Sequence, residues 1–382
     1  MLECARGKVM KRIVITTFYK AENYGAALQA YALQTVLREK DYDAEILNYR
    51  DSAIEDCYKT VNIRRENLYL IIRAFLGVLL FYRRRKKRHE QFLKFQEKYL
   101  KMGDKEYWSV EEIKNNPPEA EIYITGSDQV WNTSLTKGVS DIYTLNFGQD
   151  KTRRIAYAAS IGTKQLCQNE VNIFIEKVSK IDAVSVREVT AQSELMSSWG
   201  QKAIDVTLDP VLLRSRKEWE SDISDLARKK EKYILAYLVE EDQEYRKIVK
   251  DLSKMTGLKI IHFESRKKYN NVLYSAYTEG PLEFVNLIKN AEYVVTTSFH
   301  GTAFSIVLHK KFWVVPNGDK ASRITDLLEK LQLQDRAVHT LEEFRKKDYD
   351  QEINHEKVDI LLEKEKEKSL QWLSAAMEEK DF

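Results

Sequence analysis

The stretch from residue 291 to residue 316 constrains the fold most strongly, because in it two buried strands flank one short helix. Residues 291–295 and 311–315 are apolar and rich in β-branched side chains, which is typical of strands in parallel sheets. The segment between them has room for a single short helix, which we predict to begin near Gly301. Parallel strands joined by helices form open α/β sheets, and such sheets bind ligands at the carboxyl ends of their strands.

A cluster of polar residues lies at this predicted turn between strand and helix: Ser298, His300, Gly301 and Thr302. The first turn of a helix presents unpaired N–H groups and the positive end of the helix dipole, which favour a bound anion. Gly301 lacks the side chain that would keep a ligand away from this backbone. His300 has two interpretations here: a proton-transfer group near neutral pH, or a residue that only caps the helix or bonds a neighbouring carbonyl.

The same alternation of strands and helices runs along most of the chain. Strands are predicted at residues 12–18, 44–49, 121–125, 153–162, 183–188, 233–238, 258–263, 293–297 and 312–315. A chain of 382 residues can build two hydrophobic cores. We therefore predict two Rossmann-like domains, residues 10–213 and 214–350, and a C-terminal helix within 351–382 that packs back on the body. No G-x-G-x-x-G motif follows the first strand, so the dinucleotide-binding fingerprint is absent.

Charged residues are nearly balanced, with 62 Lys and Arg against 59 Asp and Glu and a net charge of +3. This balance gives no indication of a nucleic-acid partner. The three cysteines, Cys4, Cys57 and Cys167, form neither a zinc-ligand spacing nor a disulfide framework, so we expect a reducing cytoplasm and no metal site. Residues 1–10 lack the apolar segment of a signal peptide, and an upstream extension outside the fold is one interpretation of residues 1–9.

An apolar block followed by a basic block interrupts the first domain. Residues 68–82 are apolar on nearly every side, and a run of basic residues occupies 83–88. The apolar block includes Arg73 and is shorter than the ~20 residues that span a bilayer. Two interpretations remain open: a core helix with a solvated basic end, or a helix on a membrane surface whose cations contact anionic lipids.

Polar residues also follow the first and third predicted strands. Asn23 is a plausible cap for the first helix, and Gly25 permits close approach of the backbone. Asp128 and Trp131 follow residues 121–125 and suit a sugar or another polar ligand, since a carboxylate bonds hydroxyl groups and an indole offers a flat apolar face. A simple turn with a helix cap is the alternative interpretation of this segment.

Two arginines are candidate anion ligands. Arg187 lies at the end of the strand predicted at 183–188, and Arg323 lies in the first turn of a helix predicted at 322–331. The planar guanidinium suits a carboxylate or a phosphate. For Arg187, a structural ion pair with Glu188 or another carboxylate is an equally open interpretation.

Several motifs, taken together in this order and spacing, resemble the polysaccharide pyruvyl transferase family. They are Asn-Tyr-Gly-Ala at 23–26, Gly-Ser-Asp-Gln-Val-Trp-Asn at 126–132, Tyr-Ala-Ala-Ser at 157–160, Ser-Val-Arg-Glu at 185–188, Asp-Pro at 209–210 and Ser-Phe-His-Gly-Thr at 298–302. The resemblance runs from about residue 11 to residue 336. It implies an α/β fold in which two Rossmann-like domains face each other across a cleft, similar to two-domain (GT-B-like) glycosyltransferases.

The resemblance also implies an activity. Characterised members of the family attach pyruvate from phosphoenolpyruvate to a sugar as a cyclic ketal, so the expected acceptor is a cell-surface polysaccharide or its lipid-linked precursor. No cofactor is expected. The expected location is the cytoplasm, with peripheral contact to the inner face of the cell membrane through residues 68–88.

The resemblance and the chemistry of the side chains together assign roles to individual residues. The predicted catalytic residues are His300 and Asp128. The predicted donor-binding residues are Arg187, Arg323, Ser298, Gly301 and Thr302, and the predicted acceptor-binding residues are Asn23, Tyr24, Gly25, Gln129 and Trp131. Two alternatives remain, a nucleotide-sugar-dependent glycosyltransferase and a non-catalytic carbohydrate-binding protein. His300 and Gly301 stand where the former would usually carry an acidic residue, which disfavours it.

Overall fold

The chain folds into two parallel β-sheets with helices packed against them, as seen in a computed structural model. The structure describes residues 10–57, 68–162, 170–199, 203–227, 231–239, 241–265, 269–318 and 321–378, without the side chains of 56–57 and 68–81. The predicted extension at residues 1–9 lies outside these ranges. The α/β class predicted from the sequence is confirmed.

The first half of the chain builds a six-stranded sheet. Its elements are β1 (Arg12–Thr16), α1 (Tyr24–Glu39), β2 (Asp43–Ile46), α2 (Ser52–Cys57), α3 (Leu68–Tyr99), α4 (Val110–Asn115), β3 (Ile122–Thr125), α5 (Thr133–Thr136), β4 (Arg153–Ala159), α6 (Val171–Val178), β5 (Ala183–Val186), α7 (Val189–Trp199) and β6 (Asp205–Val206). The central strands β3 and β5 are buried at every position, which explains their continuous apolar character.

The second half builds a five-stranded sheet. Its elements are α8 (Pro210–Leu213), α9 (Arg216–Asp222), β7 (Tyr233–Tyr237), α10 (Gln243–Thr256), β8 (Lys259–His262), β9 (Val272–Ser275), α11 (Pro281–Asn290), β10 (Tyr293–Thr296), α12 (Phe299–Val307), β11 (Lys311–Val314), α13 (Ala321–Lys330), α14 (Leu341–Arg345) and α15 (His355–Met377). Helix α15 returns to the first sheet, where Ser369 Oγ accepts a hydrogen bond from Leu208 N at 3.0 Å.

Each sheet reverses its strand order once. The first sheet runs β2-β1-β3-β4-β5-β6, and the second runs β11-β10-β7-β8-β9. All of the pairings in both sheets are parallel. After β1 the chain crosses to one side of its sheet and after β3 to the other, and the same holds for β7 and β10 in the second sheet. This divergence opens a crevice at the carboxyl ends of these strands.

The structure adds two strands to those predicted and moves the start of one helix. Strand β9 is an edge strand and half-buried at all four positions, so it lacks the apolar run that identifies a central strand. Strand β6 is only two residues long. Helix α12 begins at Phe299 rather than near Gly301, because Ser298 Oγ accepts a hydrogen bond from Gly301 N and caps the helix.

Helix α3 is one continuous helix that contacts both halves of the chain. Arg88 donates hydrogen bonds to the carbonyls of Glu22 and Tyr277, at 2.8 and 2.9 Å, and Arg84 donates to Ser275 Oγ at 2.7 Å. Two cations of the basic block are therefore bound by the protein itself. The side chains of 68–81, on which the core and membrane interpretations differ, lie outside those described. Within the described chain, every helix is too short or too polar to cross a bilayer.

Candidate active site

A cavity of about 230 Å³ lies where the crevices of the two sheets face each other. The residues that line it are Phe18, Ala21, Asn23, Ala26, Ile54, Asp128, Gln129, Leu135, Val239, Thr297, Ser298, Phe299, His300, Asn317, Arg323 and Ile324. They come largely from the loops after β1, β3, β7 and β10 and from the first turns of α1, α12 and α13. These four strands are those at which the strand order reverses, so both sheets direct their ligand-binding edge at one space.

His300 reaches from the second half of the chain to the first. It lies in the first turn of α12, and its imidazole packs on the backbone of Gly25 at the start of α1. A Cβ placed on Gly25 would lie 2.0 Å from His300 Nδ1. His300 thus fills the space beside Gly25. Gly25 therefore does not contact an acceptor there, although the sequence had predicted that role.

Asp209 connects His300 to the first half and was not among the predicted site residues. Its Oδ2 atom accepts hydrogen bonds from Arg187 Nη1 at 2.6 Å and Ser127 Oγ at 3.1 Å, and lies 3.5 Å from His300 Nε2. Burial by itself would raise the pKa of Asp209, but His300 and Arg187 hold it well below its usual range. The sequence signal was ambiguous, since an aspartate before Pro210 reads as a helix cap, and Asp209 also caps α8.

Arg187 lies behind the cavity lining rather than in it. Its guanidinium stacks over the ring of Phe299, 4.8 Å from the ring centroid. Besides its bond to Asp209, it lies 3.7 Å from Asp128 Oδ1 and 3.8 Å from Glu188 Oε2. Burial lowers the pKa of Arg187, but the three carboxylates together raise it above its ordinary value. Arg187 had two interpretations, an anion ligand or a structural ion pair. The structure shows the ion pair, with Asp209 as the main partner.

Arg323 lines the cavity directly. It lies in the first turn of α13, and the residue is 7% exposed. Burial, together with the like charge of Arg187, lowers the pKa of Arg323 to about 10. The guanidinium is therefore still charged at neutral pH, but at an energetic cost that a bound anion would reduce.

The side chains of this site carry more unused hydrogen-bond donors than acceptors. Among the described residues, four buried nitrogens of this site have no hydrogen-bond partner: Arg187 Nε, Arg187 Nη2, His300 Nε2 and Arg323 Nε. One buried acceptor nearby, Glu188 Oε2, also has no hydrogen-bond partner. A buried donor without a partner costs about 1–3 kcal/mol. A ligand with phosphate or carboxylate oxygens would satisfy these donors. No group of three His, Cys, Asp or Glu side chains in the described part of the chain is arranged to hold a metal ion.

Asp128, Gln129 and Asn23 reach the cavity from the first half. Asp128 has φ of 69°, a left-handed conformation that is uncommon for residues with a side chain and that aspartate tolerates better than most. Asn23 caps α1, since its Oδ1 accepts a hydrogen bond from Gly25 N at 2.9 Å. The predicted site residues that the fold brings together around the cavity are therefore Asn23, Asp128, Gln129, Ser298, His300 and Arg323.

Trp131 and Tyr24 lie outside the cavity lining, although the sequence predicted both as acceptor ligands. Trp131 is 2% exposed, and its indole N–H donates to the carbonyl of Tyr143 at 2.9 Å. Tyr24 stacks on Phe284, with ring centroids 4.7 Å apart. Both rings are therefore used in the hydrophobic core and are not available as a flat surface for a sugar.

Gly301 and Thr302 also serve the fold rather than the cavity surface. A Cβ on Gly301 would lie 2.4 Å from Thr296 Oγ1, so this glycine allows α12 to pack closely on β10. The space that was predicted for a ligand is taken by a neighbouring side chain. Thr302 is fully buried, and its Oγ1 donates to the carbonyl of Ser298 at 2.9 Å.

Comparison with known proteins identifies a family whose model matches most of the chain. The family model described as polysaccharide pyruvyl transferase matches residues 23–319. A comparison with curated proteins gave no match.

Solved structures share the fold at low sequence identity. A putative UDP-N-acetylglucosamine 2-epimerase from Listeria monocytogenes is 10% identical with a TM-score of 0.53, over 98% of this chain and 100% of that one. UDP-GlcNAc 2-epimerase from Methanocaldococcus jannaschii is 13% identical with a TM-score of 0.49, over 95% and 99% of the chains. The wall teichoic acid polymerase TagF is 12% identical with a TM-score of 0.49, over 96% and 89%. The structure from Listeria monocytogenes, with its TM-score above 0.5, confirms the predicted GT-B-like fold.

Proposed function

This chain belongs to the polysaccharide pyruvyl transferase family, and we propose that it moves the enolpyruvyl group of phosphoenolpyruvate onto a sugar. The acceptor is a unit of a cell-surface polysaccharide or of its lipid-linked precursor, and the product is a pyruvate ketal. The observation that carries this proposal is the set of buried nitrogens without a hydrogen bond on His300 and Arg323, which line the cavity, and on Arg187 behind them. Phosphoenolpyruvate brings a phosphate and a carboxylate, whose oxygens match those donors.

The size of the cavity supports a small donor. Its volume of about 230 Å³ is below the ~300–1,000 Å³ that drug-sized ligands occupy. Ser298 and Asn23 both cap helices that begin at the cavity, so two positive helix ends face the bound anion. A nucleotide sugar would have to place a base, a ribose and a diphosphate in the same space.

The reaction divides into two additions to one carbon atom. His300, as an imidazolium, gives a proton to the methylene carbon of the donor, and the adjacent carbon becomes an oxocarbenium-like centre. An acceptor hydroxyl attacks that carbon and loses its proton. The C–O bond to phosphate then breaks, releasing inorganic phosphate, and a second hydroxyl of the same sugar closes the ketal ring and loses its proton. The ionised Asp209 stabilises the imidazolium across 3.5 Å.

The first half of the chain supplies the acceptor side. Asp128 offers a carboxylate at the cavity wall that can accept the proton of the attacking hydroxyl. Asn23 and Gln129 add amide groups that can orient the sugar through hydrogen bonds in both directions. Arg323 contacts the donor directly, and Arg187 adds positive charge from behind Phe299.

The decisive experiment incubates the purified protein with phosphoenolpyruvate and candidate glycans and measures released phosphate. Release that depends on both the donor and an acceptor, with a new ketal signal in the product's NMR spectrum, is the expected result. Titration with nucleotide sugars is the comparison. Binding of a nucleotide sugar without any response to phosphoenolpyruvate would favour the glycosyltransferase alternative, and sugar binding without turnover of either donor would favour a non-catalytic protein.

Arg187→Lys is expected to raise the KM for phosphoenolpyruvate about tenfold although the charge is kept. A lysine can retain the bond to Asp209, but without the planar guanidinium it loses the stacking on Phe299 and the contact with Asp128, two residues that line the cavity. Steady-state kinetics with a melting curve test this. Arg336→Lys is the matched control, because Arg336 is also a buried arginine but bonds the carbonyls of Gln351 and Glu352 instead. A lower melting temperature with unchanged donor KM would show that Arg187 has only a structural role.

We also propose that the exposed cations of the basic block contact anionic membranes. Arg83, Lys86 and Lys87 are exposed, in contrast to the bound Arg84 and Arg88. Each cation near an anionic surface contributes about 1 kcal/mol at modest salt.

Flotation with liposomes is expected to recover the protein with anionic lipid at low salt and to lose it at high salt. Replacing Arg83, Lys86 and Lys87 by glutamate should abolish flotation. The same change at Lys357, Lys364 and Lys368, which are exposed on α15, should not. Equal recovery with neutral and anionic lipid would contradict the proposal.

A further inference from the structure

We propose that the exposed indole of Trp108 is an outer subsite for the acceptor glycan, which holds a sugar unit beyond the one in the cavity. This inference rests on the proposed function. Trp108 is 63% exposed, whereas Trp131, Trp219 and Trp313 are each 2% exposed or less. A flat apolar ring with a polar surround suits the apolar face of a pyranose, which stacks on aromatic rings.

Trp108 lies at the same edge of the first sheet as the cavity. Tyr49, just beyond β2, forms a parallel bridge with Tyr107, so the chain at 107–108 runs out at the carboxyl end of the sheet. Helix α2 starts at this edge, and its Ile54 lines the cavity. A chain of sugars that leaves the cavity past α2 would therefore run along this edge toward Trp108.

The ring is held in place by a row of paired charges. Arg50 lies over Trp108 at 4.5 Å from the centroid and is itself fixed by a bidentate pair with Glu55, at 2.9 and 2.7 Å. Lys20 continues the row, 3.9 Å from Glu55 and 3.1 Å from Glu106. Lys20 directly precedes a residue of the cavity lining, so the row extends from the cavity to the indole.

The alternation of charge along this row favours a neutral, hydroxyl-rich ligand. Glu55 and Glu106 can accept hydrogen bonds from sugar hydroxyls, and Arg50 and Lys20 can donate to them. An anionic or cationic polymer would meet repulsive groups as often as attractive ones. The proposed reaction brings a hydroxyl-rich glycan to this edge of the molecule.

The test measures sugar binding by calorimetry in the absence of phosphoenolpyruvate. The probes are the monosaccharides and the linear tetrasaccharides of glucose, galactose, mannose and N-acetylglucosamine. We expect at least one tetrasaccharide to bind the wild-type protein about tenfold more tightly than its monosaccharide. Trp108→Ala should remove this difference, and Trp108→Phe should retain most of it. Ile360→Ala is the control, because Ile360 is 66% exposed on α15.

Two outcomes would overturn the subsite. The first is equal binding of each tetrasaccharide and its monosaccharide by the wild type, and the second is an unchanged difference in Trp108→Ala. The proposed function is tested separately, by phosphate release. If Trp108 governs binding of the longer glycan but phosphoenolpyruvate is never consumed, the subsite stands and the proposed reaction is wrong.

Discussion

His300→Gln is expected to lower kcat at least ~10²-fold while binding of phosphoenolpyruvate remains nearly unchanged. Glutamine keeps a polar side chain in the first turn of α12, but it cannot carry a proton to the donor at neutral pH. Arg323 and the two helix N-termini remain to bind the anion. Donor affinity from calorimetry and kcat from phosphate release separate the two effects.

The control for this variant is His339→Gln. His339 is exposed and lies outside the cavity lining, before α14, so normal turnover is expected. Near-normal kcat in His300→Gln would mean that proton transfer is carried by another group. A parallel loss of donor affinity and kcat would instead place His300 among the donor-binding residues.

Asp209→Asn is expected to lower both stability and turnover. Asparagine has the shape of aspartate and can still cap α8. It carries no charge, however, so Arg187 loses its main buried counter-ion. Removing one partner of a buried ion pair costs about 3–5 kcal/mol of stability. The substitution also removes the charge that stabilises a protonated His300, so we expect kcat to fall about 10²-fold. The loss of kcat should persist per folded molecule while phosphoenolpyruvate still binds, which a purely structural defect would not cause. An unchanged kcat after correction for the folded fraction would contradict the positioning role.

The stability loss in Asp209→Asn has a defined pH dependence. The folded state depresses the pKa of Asp209, so its carboxylate stabilises the protein above the unfolded-state pKa of about 3.9, and this contribution is lost as the pH falls below that value. The difference in unfolding free energy between wild type and variant should therefore shrink as the pH falls below about 4. Asp205→Asn is the control, because Asp205 is exposed and its Oδ2 accepts a bond from Trp372. A difference that persisted or grew below about pH 4 would contradict this assignment.

The amino-acid sequence determined the architecture and the location of the candidate site. The central strands are buried on both faces, so they appear as continuous apolar runs that need no tertiary information. Ser298, His300, Asp128, Asn23 and Arg323 all follow such runs or begin the next helix. Their convergence follows from the rule that parallel sheets bind ligands at the carboxyl ends of their strands.

The tertiary structure decided which polar residues face the cavity and which serve the fold. Asp209 caps a short helix and also pairs with Arg187 and His300. Only the first of these roles can be recognised from the neighbouring residues in the sequence. The missing side chain of Gly25 makes room for His300, a residue that lies far away in the sequence. Periodicity and capping are properties of neighbouring residues, whereas burial and ion pairing depend on what the other half of the chain brings to the same place.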